Sequence, residues 1–166
     1  TGQHLAAGIK TKIMNEGWAT YWHHRMLRDL KEEIKSLNRP SYNANFRGNL
    51  FHSGIIRIPD NVKEINPYRL GFYVWQKIAQ DREEQALFEI RENKVDFTFL
   101  LDHFCGQYDL IYRWFLRPGF IETEMKKDPT LTPEKIISLN DRESACKEYQ
   151  NFVLDAVRES NQPYFQ

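Results

Sequence analysis

The chain has 166 residues, 14% of them aromatic, and its 23 basic and 23 acidic residues cancel to a formal net charge of zero. That length suits one domain able to bury on the order of 70% of its unfolded surface, so neither a disulfide nor a structural metal is required for folding. The balanced charge argues against bulk electrostatic binding to nucleic acid or an anionic membrane, and no apolar run approaches the roughly 18 residues of a membrane span.

The chain opens with "TGQHLAAGIK", which has neither an initiator methionine nor a secretory leader pattern. It reads as the interior of a longer cytoplasmic protein. A first helix is expected from about Ile9 to Ser36, free of internal proline and closed by the charged "KEEIKSLNRP" before Pro40. The polar "NRPSYNANFRGN" is a loop. "LFHSGIIRIP", residues 50–59, is β-branched and ends at Pro59, as a short strand or extended arm does.

Asn66 followed by Pro67 opens the next helix, which takes in "PYRLGFYVWQKIAQDREEQALFEIREN". A side-chain acceptor followed by a residue with φ already fixed is what a helix start favours. "VDFTFLLDHFCGQYDLIYRWFL" reads as a third, central helix capped by Asp96 and broken by "RPG" at 117–119. "TPEKIISL" begins another helix with Thr132 as cap. "NDRESACKEYQNFVLDAVRES" is a last amphipathic one, with Asn140 and Glu143 at capping-box spacing. Cys105 and Cys146 lack metal-ligand spacing and are expected to be reduced and partly buried. The expected fold is mainly α: one helical domain over residues 1–166, of about five helices with one short extended segment or hairpin, forming part of a longer protein.

The densest chemistry lies in "KIMNEGWATYWHH", residues 12–24. On a helical wheel Glu16, Thr20, His23 and Leu27 fall within a sector of about 60°. Trp18, Tyr21, Trp22 and Met26 spread around the rest, and a helix apolar on most sides is usually buried. A buried carboxylate and imidazole need partners, which a metal, an arginine or a polar ligand would supply. Rim packing is the plain alternative. Glu16 and His23 are separated by roughly 10.5 Å along the axis, too far for an easily shared ion. One is then a ligand and the other a substrate-binding or supporting group. His24 points about 100° away and reads as a bystander.

Outside this stretch, His52 is the best further metal-ligand candidate, unless it is an ordinary loop histidine. Tyr68 either reaches a ligand from its helix start or packs in the core, and Asn66 is first a helix cap. Arg91 would satisfy Glu16 without any metal if the two paired. Otherwise Arg91 and Glu92 are surface helix charges. His103 and Cys105 sit mid-helix and read as packing residues.

"TKIMNEGWATYWHHRML" closely resembles the signature of the stage V sporulation protein R (SpoVR-like) family of bacteria. "INPYRLGF", residues 65–72, and "LFEIRENKVDFTFLLDHF", residues 87–104, are similar to two further family blocks, in the same order. The resemblance covers about residues 11–104. It implies a link to sporulation and spore cortex formation in spore formers, and it implies no particular reaction. Family members are much longer, so the resemblance also implies a missing N-terminal half.

A second likeness concerns mechanism. Asn15-Glu16-Gly17-Trp18-Ala19 is similar to the segment that supplies a glutamate as third zinc ligand in some His-Glu-x-x-His metallopeptidases. That likeness implies zinc as cofactor, Glu16 as ligand and His23 as an electrophilic or orienting group. The chain contains no His-Glu-x-x-His.

Two functions therefore stand at this stage. One is a non-catalytic assembly or regulatory role with other proteins, or the missing N-terminal part of the same protein, as partner. Asn15, Thr20, Asn66, Tyr68, Arg91 and Glu92 are expected to be structural or substrate-binding. The other is a zinc-dependent hydrolase acting on a peptide or peptidoglycan-related amide, with Glu16 and His52 on the metal and His23 in catalysis. Neither involves nucleic acid.

Overall fold

A computed structural model describes residues 11–36, 55, 64–117, 130 and 142–160. The fold is mainly α: α1 (Lys12–Ser36), α2 (Pro67–Asp81), α3 (Glu84–Asn93), α4 (Asp96–His103), α5 (Tyr108–Ile111), extended by a π turn over Tyr112–Leu116, and α6 (Arg142–Ser160). There is no strand among the described residues. Of the expected extended segment only Ile55 is described, in a turn. His52, the "TPEKIISL" helix and the Asn140 cap lie outside the described residues.

α2 starts as its sequence dictates. Asn66 Oδ1 accepts from the Tyr68 and Arg69 backbone N–H groups at 3.0 and 3.2 Å, and Pro67 occupies the first turn. The side-chain amide of Asn66 also donates to the Ile55 carbonyl at 2.9 Å. One face of α2 buries Leu70, Val74, Trp75 and Ile78, and Trp75 is fully enclosed. α1 and α2 share the most extensive contact in the molecule.

Two expected helices are each broken in two. Arg82 and Glu83 are extended and separate α2 from α3. The run Asp81–Glu84 is exposed, so the break leaves no buried polar backbone, and it turns α3 to bury Leu87 and Ile90. The third helix is interrupted after α4, where Phe104 and Cys105 both donate to the Leu100 carbonyl and Gly106 adopts φ +75°. That left-handed conformation suits glycine and reverses the chain. The Gly106 N–H then donates to Gln150 Oε1 of α6 at 2.8 Å.

α6 buries Cys146, Tyr149, Val153 and Val157 at helical spacing against α4 and α5. Buried Arg69 ties α2 to the π turn. Its Nε donates to the Trp114 carbonyl at 3.2 Å, and its guanidinium lies over the Tyr73 and Phe115 rings. Both cysteines are free, Cys146 buried and Cys105 half-buried. None of the described helices is long and apolar enough to cross a membrane.

Candidate functional site

The three motif blocks meet where α1 crosses α2. Gly17 sits against Gly71 so closely that a Cβ on Gly17 would lie 2.3 Å from the Gly71 backbone, and one on Gly71 would lie 2.1 Å from the Ile13 carbonyl oxygen. Only glycine on both helices permits this approach. It brings Met14, fully buried, beneath α2, where its carbonyl accepts from Trp75 Nε1 at 3.0 Å. Trp18 packs edge-on against Trp75, Trp22 and Phe88, so the "NEGW" block reaches α3 as well.

Asp96 joins the third block to the first. The sequence reading made it the cap of its own helix, but the cap position there is Val95, whose N–H donates to Thr98 Oγ1 at 3.2 Å. The Asp96 carboxylate instead accepts from the Ile13 and Met14 N–H groups at 2.8 and 2.7 Å. It thus satisfies orphan donors at the start of α1 from more than eighty residues away. Burial outweighs those backbone hydrogen bonds and pushes its acid up to about 6.

Glu16 is half-buried and neighbours the Tyr68 hydroxyl at the start of α2. The neighbouring Glu16 carboxylate, with burial second, raises the Tyr68 phenol above its ordinary range. Thr20 donates its hydroxyl to the Glu16 backbone carbonyl at 2.7 Å, a bond within its own helix. Asn15 donates to Thr11 Oγ1 at 2.7 Å, while its Oδ1 is buried without a partner among the described residues. Arg91 Nε is likewise buried and unpartnered, and Glu92 is exposed. The suggested Arg91–Glu16 pair does not form among the described residues. The tyrosine, which the sequence reading left between core and ligand contact, is the neighbour of Glu16.

The two histidines exchange the environments expected of them. His23, grouped with Glu16 on the wheel, is exposed. His24 is half-buried, edge-on to Phe72 at 5.5 Å, and burial followed by the charge of Arg28 lowers its pKa. The reason is the crossing itself: α2 covers the side of α1 that carries Ile13, Gly17, Tyr21 and His24, which leaves His23 exposed and Thr20 and Leu27 half-buried. Among the described residues no three His, Cys, Asp or Glu side chains gather into a metal-binding group. Glu16 thus lies beside Tyr68 and His23 stands on the surface, while His52, the other expected ligand, lies outside the described residues.

A model of the family described as SpoVR like protein matches residues 2–111. The chain belongs to the SpoVR-like family. It is also similar to an uncharacterized protein, YcgB, of Escherichia coli strain K12, with 39% identity over 77 residues covering 43% of this chain and 14% of the relative. This SpoVR-like chain thus spans only a small part of that relative's length. No solved structure matches it significantly.

Sequence reasoning missed what the second half of α1 does. Beyond Trp22 the helix leaves the core, and Met26 is 60% and Leu30 43% exposed, beside Phe88 of α3 at 42%. The expectation of a helix buried on most sides therefore holds only as far as about Trp22. The outward spacing of Trp22, Met26 and Leu30, with charges between them, was the available signal. Two clefts open on either side of the Gln76–Gln80 edge of α2. One, of about 780 Å³, lies between α2, the Gly106 turn and the start of α6, and includes Tyr73, Tyr108, Arg113 and Trp114. The other, of about 370 Å³, lies beside His24. Neither is lined by Glu16 or Tyr68.

Proposed function

We propose that the chain is a non-catalytic assembly module of a longer, cytoplasmic SpoVR-like protein. Its occupant is an apolar helix from another part of the same polypeptide. The observation that carries this reading is the exposed pair Met26 and Leu30, continuing the line of half-buried Trp22, with exposed Phe88 alongside. Scattered surface hydrophobes are ordinary, but a row continuous with the tryptophan cluster is the surface that a helix-in-groove contact needs. The small share of the E. coli relative that this chain covers supports a partner within the same polypeptide. The signature residues support the reading too, because Gly17, Gly71, Asn66 and Asp96 all have structural duties. The family resemblance supports a task connected with spore cortex formation in hosts that form spores.

The test is the full-length protein carrying Met26→Lys and Leu30→Lys together. Loss of association between the module and the remaining polypeptide, measured by protease nicking followed by size-exclusion chromatography with light scattering, is the expected result. Unchanged association contradicts the reading. So does stoichiometric zinc in the full-length protein that disappears in Glu16→Gln while the fold persists, since that returns Glu16 to a metal site.

A further inference from the structure

The smaller cleft carries a charge pattern that the assembly reading does not use. Among the described residues, four basic side chains line it (His24, Arg25 and Arg28 of α1, with Arg82 just after α2) and one acid, Glu84 of α3. Arg25 is already engaged. It pairs with Glu84 at 2.9 Å, hydrogen-bonds Tyr21, and lies over the Trp22 ring at 5.0 Å. Glu84 is thereby taken up by an arginine with a structural task.

Arg28 and Arg82 are differently placed. Among the described residues Arg28 pairs only with its chain neighbour Asp29, at 3.3 Å with both side chains 60% exposed, a contact worth little in water. Arg82 has no ion pair among the described residues. His24, half-buried against Phe72, lines the same cleft, as do Gln76 and Gln80. An excess of guanidinium charge thus converges on a concave space of about 370 Å³, large enough for a small metabolite and too small for a folded partner.

We propose that this cleft binds a small phosphorylated molecule, with Arg28 and Arg82 as the charged clamps and His24 as a third donor. Guanidinium groups arriving from two elements, joined by an imidazole and two amides, offer donors in several directions. A phosphate presents three oxygens to such a ring of donors, whereas a carboxylate presents two in one plane. The bound dianion favours protonated His24, against the burial and the Arg28 charge that now disfavour it. Among the described residues, the titratable and charged groups that share the cleft with His24 are Tyr21, Arg25 and Arg28 on its own helix, Arg82 after α2, and Glu84 on α3, which is held by Arg25.

The test uses pyrophosphate as probe, in isothermal titration calorimetry at constant ionic strength on the full chain. Saturable binding is expected, weakened about tenfold or more by Arg28→Gln and by Arg82→Gln. Arg117→Gln, an exposed arginine that does not line the cleft, is expected to change it by about twofold at most. Both clamp residues are exposed, so circular dichroism should show the variants folded. The His24 imidazole, followed by NMR, should titrate at higher pH when pyrophosphate is present. The proposal is overturned if binding does not saturate, if Arg117→Gln weakens it as much as the other two, or if citrate binds equally well.

Discussion

The two halves of α1 are one continuous helix with opposite surroundings. From Lys12 to Tyr21 it is locked: Asp96 caps its start, Gly17 lies on Gly71, the Met14 carbonyl holds Trp75, and Glu16 neighbours Tyr68. From Trp22 to Ser36 it runs out past α2, with apolar side chains on one flank and the basic cleft on another. The sequence signature, residues 11–27, spans the junction of the two halves, with its first part in the fastened one. The first part of the motif therefore marks the place where the fold is fastened, and its last residues, Trp22, His24 and Met26 among them, already belong to the surfaces offered to partners or ligands.

The sharpest way to break the comparison is at the crossing. Gly71→Ala places a methyl group into the Ile13 carbonyl and the Gly17 backbone, neither of which is a flexible side-chain end. It should destabilise by about 3 kcal/mol, at the upper end for overpacking, read from the urea midpoint. Asp96→Ala comes next. It strips acceptors from two buried N–H groups at a helix start, at a cost of about 2 kcal/mol.

The same residue makes a pH prediction. The Asp96 pKa is raised on folding, from 3.8 to about 6, so the native state binds more protons than the unfolded one in that window. Its contribution is fully present below the lower value and is lost as pH rises through the upper one. The melting temperature of the wild type should therefore fall relative to Asp96→Asn as pH is raised from about 4 to about 7. Tyr68→Phe removes the hydroxyl that neighbours the half-buried Glu16 carboxylate and should cost about 1 kcal/mol or less by denaturant titration. The smallest effect on stability belongs to the other half of the helix. Met26→Lys alters a side chain already 60% exposed, so it should shift stability within about 0.5 kcal/mol while abolishing association.

Much of the fold was legible because its signals are local. Asn66-Pro67 marks a helix start, and the spacing of Cys146, Tyr149, Val153 and Val157 marks a buried face. The break at Gly106 was also local, since a glycine after "DHFC" is a terminator that the surrounding apolar run masked. The candidate site was less legible because its partners are distant in sequence. A wheel groups Glu16 with His23, yet it cannot say which side α2 covers. That side is fixed by a glycine pair 54 positions apart in the chain, Gly17 and Gly71. The duty of Asp96 was hidden for the same reason: an acidic residue at a helix start looks like that helix's own cap, and only the tertiary packing turns it toward α1.

The central claim is that one helix divides into a fastened half and a docking half. Its most direct test is a photo-cross-linking residue at position 26 in the full-length protein, with one at buried position 14 as reference. The account predicts that position 26 forms adducts with a distant apolar segment of the same polypeptide, while position 14 reaches only α2 and its immediate neighbours. An unreacted cross-linker at position 26, facing water in the intact protein, would contradict it.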